Sequence, residues 1–348
     1  MTGRIRIGRV GGGLAGITVA IALSKHRHVD VHVYESSPQF TERGAGIGLP
    51  PLALEAGAVE ADAARLVIEM LHAGKRLKSL DQIDSGVRVR FEDGTNEHFD
   101  AVTSADGIFS SVRDHDCRHL VPFEKAREAL GEGSFKIDRQ YAWLGDGAAM
   151  LHGLVENKTM VQCIIAVIDK SFSADRKREV MRNSLNDALP ASWYEGPVAK
   201  GVVDLILDQE DPKGYAQWEH KSTPTYANNR ACIVGDAAHA TSPWQDAGAG
   251  ISIEDAFIMG RLLSNISTAA EIEAAFKAFD ALRRPRCQQV VDNGRRIGRL
   301  FCGQDETAGV DAEKLSRELG LMFGPLGAFE LKLHKEDALS RMQEFLND

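Results

Sequence analysis

Asp236 follows Gly235 at the end of a short apolar run, Ala231-Cys232-Ile233-Val234, and precedes a turn of small residues that opens a helix near Gly250. A strand, a glycine-rich turn and a helix start in that order bring a carboxylate beside bare backbone N–H groups. Such a place suits a polyhydroxylated, partly anionic cofactor. Asp236 can accept from ribityl hydroxyls while the helix end stabilises negative charge. Taken alone, the run fits an ordinary strand-turn-helix equally well.

A second constellation lies near the start. Arg4 to Val10 reads as a first strand, and Gly11-Gly12-Gly13-Leu14-Ala15-Gly16 fits G-x-G-x-x-G. Ile17 to Leu23 continues as an apolar helix, and Val29 to Tyr34 alternates like a second strand ending on Glu35. The acid stands roughly twenty residues beyond the glycines, where a ribose-binding carboxylate belongs. Gly11 would permit the tight turn, Gly13 would let backbone approach a pyrophosphate, and Gly16 would let the helix pack on the strand. An acid at position 35 favours a free ribose diol, as in FAD or NAD, over a 2'-phosphate. Arg9 is an awkward residue for a buried strand.

These segments need a sizeable scaffold, and 348 residues with 43% hydrophobic content provide one. A formal charge of -9 gives no basic face for nucleic acid. No run of eighteen or so uncharged apolar residues is present for a membrane span, and the glycine fingerprint explains Arg4 to Leu23 better than a signal peptide does. Cys117, Cys163, Cys232, Cys287 and Cys302 are odd in number and show no C-x-x-C spacing, which points to a reducing, cytoplasmic setting without a disulfide framework or a zinc site. His26, His28 and His32 lack the carboxylate or thiol company of a metal site, and His239 reads as a structural hydrogen bonder.

Between the two constellations, Arg43 to Pro51 is a second glycine-rich loop. Gly86 to Gly94 alternates apolar Val87, Val89 and Phe91 with charges, turns at Asp93-Gly94 and resumes at Glu97 to Phe99, which predicts a hairpin. Asp100 to Ser111 reads as a strand running into Asp106-Gly107, and Lys158 to Asp169 as a long strand. Ser173 would cap a helix to about Leu189, while Glu271 to Leu282 and Pro285 to Phe301 read as two amphipathic helices.

Three segments thus stand in order: Gly11 to Gly16 with Glu35, Ala105-Asp106-Gly107-Ile108-Phe109-Ser110 with Arg113, and Gly235-Asp236-Ala237-Ala238-His239 with Pro243 and Gly248-Ala249-Gly250. In this order and wording the chain resembles the FAD-dependent aromatic hydroxylases, in particular fungal salicylate hydroxylase-like monooxygenases, from about Arg4 to the C-terminal helices. The resemblance implies an α/β fold, with a Rossmann-like FAD-binding domain and an interleaved β-sheet substrate domain. It apportions 1–54, 55–115 and 226–305 to FAD binding, 116–225 to the substrate and 306–348 to a helical tail. It further implies NADH or NADPH as reductant, O2 and a small phenolic or aromatic acid or polyketide as co-substrates, and hydroxylation through a flavin hydroperoxide. Carried over by position, Glu35 would hold the adenosine ribose, Gly48 would lie against the cofactor, and Asp106 would support the pyrophosphate and nicotinamide docking. Asp236 would bind the ribityl chain, Ala249 and Gly250 would face the flavin edge, and Arg118 would be the catalytic cation holding phenolate or carboxylate.

The chain also departs from the family pattern. It is shorter between Leu54 and His72, where the family carries a flavin-contacting arginine for which Arg65 is a poor match, and again between Arg113 and Cys117. Cys117 replaces a tyrosine, Asp246 replaces a glycine in the flavin-facing turn, and Thr103 and Ser104 stand in a normally apolar strand. Two other functions stay open on the sequence: a nicotinamide-dependent reductase using only the N-terminal site, and a shortened, non-catalytic member of the flavin family.

Overall fold

The computed structural model describes residues 4–39, 69–107, 114–145, 147–168, 189, 191–210, 214–217 and 219–348, with the side chains of 114–118, 195 and 214–216 excepted. Their elements run β1 (Ile5–Val10), α1 (Leu14–Ser24), β2 (Val29–Tyr34), β3 (Leu71–His72), β4 (Leu77–Ile83), β5 (Gly86–Phe91), β6 (Asn96–Phe99) and β7 (Ala101–Ser104). There follow β8 (Asp114–Pro122), α2 (Phe123–Leu130), β9 (Tyr141–Gly145), β10 (Ala148–Val155), β11 (Met160–Ile168), α3 (Pro197–Leu207) and β12 (Gly214–Gln217). The chain closes with β13 (Ala227–Asn228), β14 (Ala231–Ile233), α4 (Asp236–His239), α5 (Gly248–Leu263), α6 (Ile272–Phe301), α7 (Ala312–Gly327) and α8 (Leu331–Asn347).

Two compact units share this chain. The first takes residues 1–109, 219–292 and 327–348. Its main sheet has the order β13-β14-β7-β1-β2-β3, with β14, β7, β1, β2 and β3 parallel and only β13 antiparallel. Ile7, Val31, Val33 and Val102 are fully buried, as strands covered on both faces require. Helices α1 and α5 pack together, and a Cβ placed on Gly260 would come within 2.8 Å of the Ala22 Cβ, so the glycine sets how closely they approach. A three-stranded antiparallel sheet, β4-β5-β6, contributes Val87, Val89, Phe91 and Phe99 to a core with Val10, Tyr34 and Val102. Each of the two phenylalanines gains about 1.5–3 kcal/mol from that burial. This hairpin sheet leads into β7, whereas a purely nicotinamide-dependent reductase would continue with alternating strands and helices.

The second unit comprises 110–218 and 293–326. Its antiparallel sheet has the order β12-β8-β11-β10-β9, and β8 pairs with β11 from Asp114 opposite Ile168 to Pro122 opposite Met160. Val121, Met150, Val161, Ile165, Val202 and Ile206 form its core, under α2 and α3.

Several expectations shift. The long strand occupies Met160–Ile168, and the helix expected near Gly250 begins at Gly248. The two helices expected on either side of Pro285 are one, α6. Pro285 is exposed in its interior, so its ring faces solvent where the missing N–H is least costly. The helix expected at Ser173 and the glycine-rich loop Arg43 to Pro51 lie outside the described residues.

Candidate functional site

The carboxyl ends of β1, β2, β7 and β14 point the same way because these strands are parallel, and each carries one of the singled-out segments. Open α/β sheets bind ligands at this edge. Backbone hydrogen bonds extend the ladder into the loops: Gly11 N–H donates to Tyr34 C=O at 2.8 Å, Ala105 N–H to Val10 C=O at 2.7 Å, and Val234 N–H to Ser104 C=O at 2.9 Å. From β14 through β7 and β1 to β2 are three strand spacings, about 14 Å. An elongated dinucleotide can cover that span.

Local chemistry explains why these residues hold their places. Gly11 has φ 96°, and a Cβ there would lie 2.2 Å from the Ala105 carbonyl oxygen, so the turn admits glycine alone. A Cβ on Gly16 would come within 2.0 Å of the Gly11 oxygen, which brings the first turn of α1 down onto the loop. Around Gly13 there is open space, and α1 begins with neither a side-chain cap nor an acidic residue in its first turn. Its N–H groups are therefore available to an anion.

Glu35 accepts from Gly12 N–H at 2.8 Å with one carboxylate oxygen and from Ser37 N–H at 2.8 Å with the other. Its own backbone is clamped between His72 C=O and Lys75 N–H. Asp106 is exposed and accepts from Ser104 Oγ at 2.8 Å, and Gly107 beside it has φ 89°. Gly235 has φ 60°, and a Cβ there would strike the Ala15 Cβ at 2.6 Å, so the Gly-Asp turn lies against the first turn of α1. Asp236 is exposed as the first residue of α4, and Ala249 and Gly250 lie in the first turn of α5. Gly48 lies outside the described residues. The backbone of Arg118 is in β8 opposite Ile164, and its side chain is outside the described residues.

Sequence reasoning missed the support beneath this turn. Asp255, fully buried on α5, accepts from Gly235 N–H at 2.9 Å, from His239 Nε2 at 2.6 Å and from Arg283 Nε at 2.8 Å. Burial opposes ionisation of Asp255, but His239 and Arg283 outweigh it and hold the carboxyl well below its ordinary range. Burial likewise opposes protonation of His239, yet Cys287 and Asp255 raise its pKa well above the ordinary histidine value. His239, Asp255 and Cys287 offer donor atoms within 4.8 Å of one another. With the Arg283 guanidinium already on Asp255, this is an ion-pair network, not a metal pocket. The sequence marked one member, His239, as a structural hydrogen bonder, and gave no sign that Asp255 and Arg283 are buried with it.

Arg9 is the other surprise. It is 0% exposed, and Nε, Nη1 and Nη2 have no hydrogen-bond partner among the described residues. It stands opposite Thr103 of β7, whose buried Oγ1 also has no hydrogen-bond partner among the described residues, and Thr103 stands opposite Cys232 of β14.

The residues fit a dinucleotide: an open cradle at Gly13, an uncapped helix start and three carboxylates on one sheet edge. Known proteins agree. A family described as FAD binding domain matches residues 58–294, and one described as NAD(P)-binding Rossmann-like domain matches 10–57. The 6-methylsalicylate 1-monooxygenase of Aspergillus terreus is 27% identical over 423 aligned positions, covering 97% of this chain and 92% of that protein. Salicylate hydroxylase of Pseudomonas putida is 26% identical, with 97% and 95% covered. The first of these alignments has more positions than this chain has residues, so the relative carries stretches without a counterpart here. A solved salicylate hydroxylase substrate complex superposes with a TM-score of 0.82 at 23% identity, covering 96% of this chain and 98% of the other, which establishes the shared fold. With more than half of its length matched and its glycine loops and acids set along one sheet edge, the chain belongs to the FAD binding domain family.

Proposed function

We propose that this chain is an FAD-dependent monooxygenase that uses NADH or NADPH and O2 to hydroxylate a small aromatic substrate, a phenolic acid or aromatic polyketide. The observation that carries the reading is the alignment of Gly11–Gly13, Glu35, Asp106 and Gly235-Asp236 along the carboxyl edge of one parallel sheet. The names of the relatives from Aspergillus terreus and Pseudomonas putida support an aromatic acid as substrate. Among the described residues Cys163, Cys232 and Cys287 are buried and outside any disulfide, which accords with a cytoplasmic setting. Among the described residues no helix is long and apolar enough to cross a membrane.

When bound, the reduced flavin supplies the oxygen-activating chemistry, and the protein's own groups supply position and charge. Glu35 would accept from the ribose diol of the adenosine, and the start of α1 would face the pyrophosphate with its free N–H groups. Asp106 would support that binding and receive the nicotinamide, and Asp236 would accept from ribityl hydroxyls. Ala249 and Gly250, at the start of α5, would stabilise negative charge on the ring edge, and Gly48 would add a backbone contact. Arg118 would hold a phenolate or carboxylate of the substrate. The segments 1–54, 55–115 and 226–305 would make the cofactor half and 116–225 the substrate half, with 306–348 as a helical tail.

The purified protein should show a flavin absorption band and oxidise NADH or NADPH faster when a hydroxylatable phenolic acid is added, with the hydroxylated product detected by mass spectrometry. Turnover that yields only hydrogen peroxide with every phenol tried would end the monooxygenase reading. Arg118→Ala should keep the flavin band and lose the product. Full product formation by that variant would remove Arg118 from the mechanism.

A further inference from the structure

We propose that Arg9 is a buried counter-charge for the anionic pyrophosphate of the dinucleotide, set beneath the first turn of α1 and without a hydrogen-bond partner among the described residues. The inference rests on the flavoprotein reading above and adds a residue to it. The Arg9 Nε lies 3.7 Å from where a Cβ on Gly16 would stand, which puts the side chain under the start of that helix. All three guanidinium nitrogens are buried and unbonded among the described residues. Burial lowers its pKa to about 10, so it keeps its charge at neutral pH.

No described group hydrogen-bonds to that charge. Asp255 of α5 is near enough to act on it, but its carboxylate already serves Gly235, His239 and Arg283. Burial keeps Cys232 of β14 a neutral thiol, and Thr103 of β7 is an uncharged hydroxyl. The helix start above Arg9 is itself electropositive, with no side-chain cap and no acidic residue in its first turn. A buried cation under the positive end of a helix raises the energy of the empty protein, and an anion arriving at that helix start relieves it. Because the surroundings are poorly screened, the guanidinium does not need to touch the anion to attract it.

The test compares the wild type with Arg9→Met, which removes the charge and keeps the length, and Arg9→Lys, which keeps the charge. FAD and riboflavin are titrated against each cofactor-free protein by fluorescence, and the melting temperature is read without flavin. Arg9→Met should bind FAD at least tenfold more weakly, bind riboflavin, which has no pyrophosphate, within twofold of wild type, and melt at a higher temperature. Arg9→Lys should retain most of the FAD affinity. FAD binding by Arg9→Met within twofold of wild type, an equal loss for riboflavin, or a lower melting temperature would each overturn the inference. A wild type that binds FAD beside an Arg9→Met variant that binds it as tightly removes only the role of Arg9; a wild type that binds no FAD removes the flavoprotein reading with it.

Discussion

Asp246 sits in the left-handed region, at φ 51° and ψ 30°, where the turn before α5 closes with its N–H donating to Pro243 C=O. The aromatic hydroxylases that the chain resembles have glycine there, and the backbone explains why: that conformation costs an L-residue roughly 1–2 kcal/mol, less for aspartate. Asp246→Gly should therefore raise stability by about 0.5–1 kcal/mol, seen as a slightly higher melting temperature, and should not weaken FAD binding because it removes an exposed carboxylate from the proposed flavin edge. A lower melting temperature would show that the aspartate is held by contacts that outweigh the backbone. Asp236 invites the complementary experiment. Its exposed side chain contributes little to the fold, so Asp236→Ala should change stability by less than about 0.5 kcal/mol. The same variant should lose FAD by at least tenfold in a fluorescence titration, with an unchanged circular dichroism spectrum; undiminished binding would take Asp236 out of the site. Both residues were visible in the sequence because glycine and aspartate punctuate it. Arg9 was visible too, as an oddity, but its burial without a partner was not.

At the scale of elements, one carboxylate joins three of them: Asp255 on α5 holds the turn before α4 through Gly235, the end of α4 through His239, and α6 through Arg283. Removing one partner of a fully buried charge network strands the others, so Asp255→Ala should cost about 3–5 kcal/mol in urea unfolding. The pH dependence follows from signs. A carboxyl whose folded pKa is depressed contributes fully above its unfolded value near 4 and loses that contribution as the pH falls toward the folded value. Stability of the wild type should thus fall steeply below about pH 4, and Asp255→Ala should flatten that limb; an unchanged acid limb would mean that the carboxylate is not held as described. His239 has the opposite sense: its raised pKa gives stability present below the ordinary histidine value and lost only as the pH rises through the higher folded one. The network was illegible beforehand because positions 239, 255 and 283 lie in three elements, and an arginine within the run Arg283-Arg284-Pro285-Arg286 looks like surface. That run misled in a second way, dividing α6 at Pro285. Pro285→Ala should restore an interior N–H and stabilise by about 1–3 kcal/mol, checked by the same denaturation. Strand β8 went unread because Asp114-His115-Asp116-Cys117-Arg118-His119 has no apolar alternation, and its pairing with β11 is what makes it a strand.

For the whole molecule, the parts most legible in sequence are the ones whose spacing is local: β1, α1 and β2 with their glycines, the β5-β6 hairpin, and β14 running into Gly235-Asp236. What sequence alone does not give is the order β14-β7-β1-β2, since β7 and β14 are separated by the 110–218 segment of the second unit and meet only in the sheet. The cofactor site inherits that dispersal, because Gly11, Glu35, Asp106 and Asp236 come from four strand ends. A ligand bridging such remote segments binds only when the sheet is assembled, so its binding energy adds directly to the unfolding free energy. At FAD concentrations a hundredfold above the dissociation constant the gain should be about 2.7 kcal/mol. For a chain of this size that is a rise in melting temperature of about 2–4 °C. Riboflavin and adenosine, each reaching only one end of the edge, should shift it less at equal concentration. If adenosine alone reproduced the full shift of FAD, the Asp236 end would be idle and the proposed span from Glu35 to Asp236 would be wrong.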